Sequence, residues 1–319
     1  MPGSYEFINY SLRPAKSIER KMLCETFRRL VEFGAISSFR YVGFGSTYFS
    51  DFALFHRSLG LRNMISIEKD AQNSSRFDFN RPYKCIDLKF GHSNAVLSTI
   101  PWNVRTIGWF DYDDPLDASI LADVRFLCMS ASPVSLFVFT VNAHPDEYDE
   151  AHPRLTALTQ KVGEEKVPHG VQEADLSGWG TATISRRIIT NEIRETLNSR
   201  NGALPLDNQI LYKQLFYFRY ADGAKMMTVG GLLYERGQSS SVAKCDFDSL
   251  PFIRTDVRPN ATPYTIEVPS LTYREIRHLD SQLPRPKRKR LSSPKVSAKD
   301  LRKYEAVYRH FPHFVETEI

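Results

Sequence analysis

The chain has 319 residues, of which 42% are hydrophobic, 12% aromatic and 25% charged. This composition is that of a folded globular protein and excludes a disordered, collagenous or mucin-like chain. The formal net charge is +5, and the segment from Arg285 to Arg290 alone holds five cations. The rest of the chain is therefore close to neutral and lacks the general positive charge expected of a polyanion-binding protein.

The spacing of the cysteines and the length of the apolar runs indicate in which cellular compartment the protein resides. Four cysteines lie far apart in the sequence, and the longest apolar stretch, Ser135–Val141, is too short to cross a bilayer. The chain starts without a basic segment followed by an apolar one. We therefore expect a soluble protein of the reducing cytoplasm that does not associate with membranes.

The first half of the chain alternates short β-branched and aromatic runs with helical patterns, which predicts an α/β fold with helices on both faces of a doubly wound, mostly parallel sheet. A first helix is predicted over Ser17–Phe33, before Gly34. The strands predicted after it are Phe39–Val42, Met64–Ile67, Tyr83–Ile86, Thr106–Phe110 and Ser135–Val141. The helices predicted between them are Phe49–Ser58, Ala71–Phe79, Ser93–Ile100 and Ser119–Met129.

The second half begins with an insertion at residues 143–183, where prolines and glycines break the pattern. A helix is predicted next, over Ile184–Leu197. The pair Asp222-Gly223 then predicts a hairpin of strands Gln214–Tyr220 and Met226–Tyr234, so that the sheet ends in an antiparallel hairpin.

The chain is expected to divide into three regions. An N-terminal helical and basic segment, 1–38, precedes the α/β domain, 39–236. A C-terminal extension, 237–319, contains a basic, proline-punctuated linker at residues 284–294. Helices are predicted on either side of that linker, over Leu271–Leu279 and Lys299–His310.

A glycine motif follows the first predicted strand. Gly43-Phe44-Gly45-Ser46 precedes a helix, and glycines at a helix N-terminus let a ligand approach the backbone closely. Glu68 ends the second strand, 25 residues after Gly43, where an acid can accept hydrogen bonds from ribose hydroxyls. This arrangement predicts a nucleotide-type site. The alternative is a tight turn at the glycines and a solvated Glu68.

From Phe39 to about Tyr234 the chain resembles the class I S-adenosylmethionine-dependent methyltransferases, with their Rossmann-like, seven-stranded sheet and reversed hairpin strand. The resemblance implies that Gly43, Phe44, Gly45 and Ser46 lie against the methionine part of S-adenosylmethionine. It also implies that Glu68 holds the ribose of this cofactor.

The same resemblance implies that residues after the third strand border the adenine, either Asp87 or the turn Gly91-His92-Ser93-Asn94, from which we take Ser93. The sequence departs from the family at two places. Tyr41-Val42 stand where the family has an acid, and Ser46-Thr47 replace its third glycine.

Three carboxylates follow the fourth predicted strand. Asp111, Asp113 and Asp114 lie at the sheet edge where open α/β folds bind ligands, and one of them, Asp111 first, is predicted to act as a general base toward an acceptor hydroxyl. The alternative is a loop that caps the next helix, with Asp117 as N-cap. The resemblance implies that methyltransferases acting on exocyclic amines of bases carry Asn or Asp followed by Pro-Pro-Tyr or Pro-Pro-Phe at this position. The sequence here is Asp-Tyr-Asp-Asp-Pro-Leu, so we expect a hydroxyl acceptor instead of an amine.

Basic residues near both ends of the chain are candidate anion sites. Arg13, Lys16 and Arg20 lie around the start of the first helix and are predicted to hold a phosphate or the cofactor carboxylate; the alternative is a solvated face in which Glu19 pairs with its neighbours. The C-terminal linker is predicted to contact the phosphates of a nucleic acid, or a protein partner. The alternative is a solubilising segment that contacts solvent alone. The cations of this linker are Arg285, Lys287, Arg288, Lys289 and Arg290.

The leading hypothesis is thus an S-adenosylmethionine-dependent methyltransferase. One alternative is a methyltransferase-like scaffold that has lost catalysis and acts as a binding or sensor subunit, because the acid before Gly43 is missing. The other is a metal-dependent nuclease that uses Asp87 and Lys89 together with either Asp70 or the aspartates of the fourth strand, Asp111, Asp113 and Asp114. No metal site is predicted from His144, Asp146 and His152, because they lack the helical spacing of a zinc site.

Overall fold

An eight-stranded sheet runs through the part of the chain that the structure describes, which is residues 13–146, 153–286 and 289–312 of a computed structural model. The strands are β1 (Arg40–Gly43), β2 (Asn63–Glu68), β3 (Ile86–Phe90), β4 (Thr106–Pro115), β5 (Ser135–Asn142), β6 (Ile210–Asp222), β7 (Ala224–Glu235) and β8 (Tyr264–Thr265). Their order across the sheet is β3-β2-β1-β4-β5-β7-β6-β8.

All neighbouring strands in this sheet are parallel except β7, which runs antiparallel to both β5 and β6. The hairpin that reverses the chain turns at Gly223, whose φ of +91° favours glycine. The predicted fold class is therefore confirmed, including the antiparallel hairpin. The short β8 adds an eighth strand to the seven expected.

Ten α-helices connect or flank these strands in the described ranges. They are α1 (Pro14–Arg28), α2 (Ser50–Leu59), α3 (Ser74–Asn80), α4 (Ser93–Leu97), α5 (Ala118–Ser130), α6 (Arg154–Val162), α7 (Gly180–Asn201), α8 (Ser239–Lys244), α9 (Tyr273–Asp280) and α10 (Ala298–Val307).

The sheet separates two apolar clusters. One contains side chains of α1, α2 and α10, such as Phe27, Phe55 and Tyr304, and the other contains side chains of α5 and α7, such as Leu127 and Ile189. Strand β5 is buried along almost its whole length, as expected for a strand covered on both faces. Helices therefore cover both faces, as predicted, and the three-region division of the chain stays a prediction.

The third strand differs from its prediction. The sequence pattern predicts it over Tyr83–Ile86, but β3 begins at Ile86 and ends at Phe90. The residues that pair with β2 are Ile86 to Phe90, whereas the Tyr83 ring lies 4.2 Å from that of His56 on α2. The shift places Asp87 inside the strand instead of after it.

Several other elements are longer than predicted, for example β4 and α7. Strand β4 continues past Phe110 to Pro115, and α7 extends the predicted helix at both ends, from Gly180 to Asn201. The insertion at residues 143–183 contributes α6, whose buried Leu158 and Val162 join the second apolar cluster. None of the helices in the described ranges is long and apolar enough to cross a membrane.

Candidate functional site

The glycine loop lies between β1 and α2 and is tied to the end of β2. The backbone N–H of Gly45 donates to Ser66 Oγ and to Glu68 Oε1, both at 3.0 Å. A Cβ at Gly45 would lie 2.6 Å from both Ser66 Oγ and the Phe49 ring, so the loop has no room for a side chain there. Ser66 contacts both the loop and Glu68, and no local pattern in the sequence singles it out.

Glu68 is 5% exposed and ends β2 beside this loop. Its Oε1 accepts from Gly45 and, at 2.6 Å, from the Ser66 hydroxyl, whereas no residue of the described ranges donates to Oε2. Burial raises the pKa of Glu68 from 4.5 to about 7. The carboxyl group therefore has one oxygen left for a ligand, and the solvated alternative for Glu68 is wrong.

Two non-glycine residues of the loop adopt left-handed backbone conformations, Ser46 with a φ of 50° and Phe49 with a φ of 46°. Ser46 stands where the resembled family has a third glycine, and its conformation is one that glycine adopts without strain. Backbone strain of this kind persists where the surrounding structure enforces it and is concentrated at ligand sites. The backbone path of this loop therefore does not require the missing glycine.

Tyr41 occupies the place of the acid expected before Gly43, and its hydroxyl donates a short hydrogen bond to Oδ2 of Asp51 on α2. Both groups are buried. Burial raises the pKa of Asp51 to about 6, although the Tyr41 hydrogen bond and the charge of Arg20 oppose the shift. A carboxylate is thus present beside the loop, supplied by α2 instead of β1.

Arg20, on α1, is 9% exposed, and its charge acts on both Tyr41 and Asp51. No ion pair or hydrogen bond joins its guanidinium to any described residue, and its Nε is buried without a partner. A buried guanidinium in this state is costly unless an anion is bound to it. Arg20 is therefore a candidate anion-binding group near the glycine loop.

Lys16 lies one turn before Arg20 and is also buried. Its Nζ lies 2.5 Å from Asp111 Oδ1, 3.0 Å from Glu19 Oε2 and 2.9 Å from the Tyr220 hydroxyl, which donates to Glu19. We call Lys16, Glu19, Asp111 and Tyr220 the Lys16 cluster. It contains two carboxylates and one ammonium group, and the solvated-face alternative for this part of α1 is wrong.

Asp111 differs from the two aspartates that follow it. The pairing of β4 with β5 is irregular between Asp111 and Pro115, which stand opposite Thr140 and Asn142. This bulge breaks the alternation of the strand and leaves Asp113 and Asp114 exposed, while Asp111 is half-buried against Lys16. Asp117 caps α5 by accepting from the Ile120 N–H at 2.8 Å, so the predicted cap is present and does not involve Asp111.

The turn after β3 is joined to β4 through Asp123 of α5. Ser93 and Asn94 donate to the two oxygens of Asp123, and the Tyr112 hydroxyl donates to Oδ2 at 2.8 Å. Burial raises the pKa of Asp123. The ring of Phe44, in the glycine loop, lies 5.1 Å from the Tyr112 ring, so the glycine loop lies beside this hydrogen-bonded group.

Asp87 is not part of this group. It lies near the amino end of β3, pairs with Lys89 at 3.2 Å and is exposed. Of the two positions that the resemblance offered for the adenine, only the turn that contains Ser93 lies at the carboxyl edge of the sheet.

The remaining candidates lie elsewhere or outside the described residues. Arg13 lies 3.8 Å from Asp222, which accepts from the first N–H groups of α1, and Arg285 pairs with Glu305 on α10. Lys287, Arg288 and His152 are outside the described residues. Within residues 13–146, 153–286 and 289–312, no group of three or more His, Cys, Asp or Glu side chains is arranged to hold a metal ion.

Sequence patterns did not identify Glu19, Asp51, Asp123 and Tyr220. Glu19 and Tyr220 meet across 201 residues of the chain, whereas Asp51 and Asp123 reach Tyr41 and Tyr112 from the following helices, 10 and 11 residues further on. For Glu19 there was one local signal: this charged residue lies on the buried face of α1 with the apolar residues Ile18 and Met22. A carboxylate or lysine on such a face must find a partner when the helix packs.

Solved structures that match this chain share little sequence with it. Trm1 of Pyrococcus horikoshii in complex with S-adenosyl-L-methionine is 12% identical, with a TM-score of 0.44 over 87% of this chain and 73% of that one. The N-methyltransferase NodS of Bradyrhizobium japonicum, in complex with S-adenosyl-L-homocysteine, is 9% identical, with a TM-score of 0.40 over 70% of this chain and 89% of that one.

An O-methyltransferase of Bacillus cereus, in complex with SAH, is 12% identical, with a TM-score of 0.34 over 66% of this chain and 80% of that one. No curated protein matches the sequence. A family model does match, over residues 8–319, and its description is "Putative O-methyltransferase". This match spans nearly the whole sequence, and the chain belongs to that methyltransferase family.

Proposed function

We propose that this protein transfers a methyl group from S-adenosylmethionine to a hydroxyl group of its acceptor. The observation that carries the proposal is the convergence of three features at one edge of the sheet. The glycine loop, the free oxygen of Glu68 and the Lys16–Asp111 pair all lie at the carboxyl ends of β1, β2 and β4. Open α/β sheets bind their ligands at this edge.

Different residues of the site suit different parts of S-adenosylmethionine. Glu68 Oε2 has no donor among the described residues and suits ribose hydroxyls. The unpaired guanidinium of Arg20 suits the carboxylate of the methionine part. Bound here, the cofactor would supply an electrophilic methyl group.

Asp111 is the best-placed base for the acceptor hydroxyl. Its Oδ1 is held by Lys16, its side chain is 18% exposed, and β4 presents it at the ligand edge of the sheet. Lys16 balances part of its charge and fixes its orientation. Asp113 and Asp114 are exposed by the bulge and stay candidates for contacts to the acceptor.

Two measurements test this function. Calorimetry should show binding of S-adenosylmethionine, and Glu68→Ala should weaken it by about 10- to 150-fold, which corresponds to roughly 1.5–3 kcal/mol of charged hydrogen bonding. Mass spectrometry of a panel of hydroxyl acceptors should then detect methylation, which Asp111→Asn should slow by roughly 10²–10⁴-fold without weakening cofactor binding.

Asp207→Asn is the matched control, because Asp207 is an exposed carboxylate outside the site. If Asp111→Asn changes the stability of the protein and nothing else, the alternative of a binding or sensor subunit replaces the enzyme. Cleavage of nucleic acid that stops on addition of a chelator would instead support the nuclease alternative.

A further inference from the structure

A cavity lies at the edge of the sheet opposite to the glycine loop. Its volume is about 780 Å³, and it is lined by one side of α7, by the start of β6 and by Val257 and Pro259. Strand β6 runs in the same direction as β1 and β4, so its first residue, Ile210, lies at the edge where those strands begin. The glycine loop follows the other end of β1. The cavity is therefore separate from the methyl-transfer site.

Three arginines give this cavity a positive charge. Arg187 and Arg194 lie on α7, seven residues apart, and Arg236 follows β7. Arg194 donates to Asn191 at 3.0 Å and Arg236 to Gln209 at 3.2 Å, but none of the three pairs with an acidic side chain of the described ranges. The lining contains no Asp or Glu.

The rest of the lining is partly apolar and partly able to form hydrogen bonds. Ile193 and Leu197 supply apolar surface, and Asn198 supplies an amide group. The hydroxyls of Thr190 and Tyr212, two further lining residues, are buried without a hydrogen-bond partner. Such a mixture is typical of pockets for organic ligands, and about 780 Å³ lies within the usual range of roughly 300–1,000 Å³ for them.

We propose that this cavity binds a phosphorylated organic molecule of about the size of a mononucleotide. Arginine side chains bind phosphate oxygens through paired N–H donors, and three of them without acidic partners in the described ranges line this cavity. The volume exceeds what a single phosphate ion needs, and the amide and apolar walls suit the organic part. A concave site of this kind favours a small molecule over the extended backbone of a nucleic acid.

The probe is uridine 5′-monophosphate, because its base differs from the adenine of the proposed cofactor. Calorimetry on the full chain should show saturable binding, and uridine without the phosphate should bind at least about tenfold more weakly. Inorganic phosphate should compete for the site but bind more weakly than the nucleotide.

Substitutions test whether the arginines of α7 hold the phosphate. Arg187→Gln/Arg194→Gln should lower the affinity for uridine 5′-monophosphate by at least about 100-fold, because two charged hydrogen bonds are lost. Arg62→Gln/Arg274→Gln removes the same charge from two exposed arginines elsewhere and should leave the affinity unchanged. Glu68→Ala should also leave it unchanged.

Three results would overturn the proposal: no saturable binding by protein that circular dichroism shows to be folded, an equal loss in the control pair, or a loss in Glu68→Ala. The last of these would place the nucleotide in the cofactor site. Failure to bind S-adenosylmethionine with normal binding of uridine 5′-monophosphate would contradict the proposed function and leave this inference standing.

Discussion

Lys16 Nζ in the first helix lies 2.5 Å from Asp111 Oδ1 in β4, although 95 residues separate the two in the sequence. The same ammonium group contacts Glu19, so that one cation serves two carboxylates. Removal of one partner from a buried ion pair leaves an uncompensated charge, which costs about 3–5 kcal/mol. The N-terminal helix is therefore joined to the strand that carries the predicted base.

This pair predicts a non-additive effect on stability. Lys16→Met should lower the free energy of unfolding by about 3–5 kcal/mol, because two carboxylates lose their cation. Adding Asp111→Asn to Lys16→Met should restore part of that loss. Urea unfolding of both single variants and the double variant measures the coupling. Additive losses would contradict the interaction.

Glu68 predicts a pH dependence of stability. Burial raises its pKa from 4.5 to about 7, so the folded state holds the proton more tightly than the unfolded state does. The stabilisation is complete below about pH 4.5 and is lost as the pH rises through 7. Its size is on the order of 3 kcal/mol.

Glu68→Gln isolates this effect, because it keeps the shape of the side chain and cannot ionise. The difference in unfolding free energy between the wild type and Glu68→Gln should change between pH 4.5 and pH 8, to the disadvantage of the wild type at the higher pH. Asp51, whose pKa burial raises to about 6, titrates in both proteins, and the difference therefore contains only Glu68 and its interaction with the Asp51 charge. A difference that is constant with pH would contradict the prediction.

Arg20 should recognise the carboxylate of the cofactor. Arg20→Met is expected to weaken binding of S-adenosylhomocysteine by at least about tenfold, since one charged hydrogen bond contributes roughly 1.5–3 kcal/mol. Binding of methylthioadenosine, which lacks the amino-acid part, should be unaffected. Arg28→Met, at an exposed position of the same helix, is the control. Equal losses for both ligands would assign Arg20 a structural role.

The packing around Gly43 leaves no space for a side chain, even without a bound ligand. A Cβ there would lie 2.7 Å from the Tyr41 hydroxyl and 3.0 Å from the Trp109 carbonyl oxygen, so Gly43→Ala must displace one of them. We expect a loss of about 1–3 kcal/mol in unfolding free energy. Gly202→Ala is the control, because its Cβ would meet nothing closer than 3.5 Å. Equal stability of the two variants would show that the loop can relax.

The basic C-terminal segment should contact phosphates of a nucleic acid without reading its bases. Replacing its five cations, Arg285 to Arg290, with Gln should lower the affinity for a double-stranded oligonucleotide and flatten the dependence of log affinity on log salt. Arg285 pairs with Glu305, so we expect the other four to contribute more. An unchanged salt slope would place the contact elsewhere.

Local patterns determined the order of the elements and the two positions that define the ligand edge, Gly43 to Gly45 and Glu68. These are consequences of spacing along the chain, because a strand followed by a glycine turn and a helix is specified within a few residues. The Asp222-Gly223 pair specified the hairpin in the same way, and Asp117 the start of α5.

Only the tertiary structure decided which charged groups meet. Whether Lys16 and Glu19 face solvent or a buried partner depends on where α1 packs, and that is set by contacts with β4 and β6. The extent of β3, and with it the position of Asp87, is set in the same way by pairing with β2. Burial and charge pairing involve residues far apart in the sequence, so no local pattern contains them.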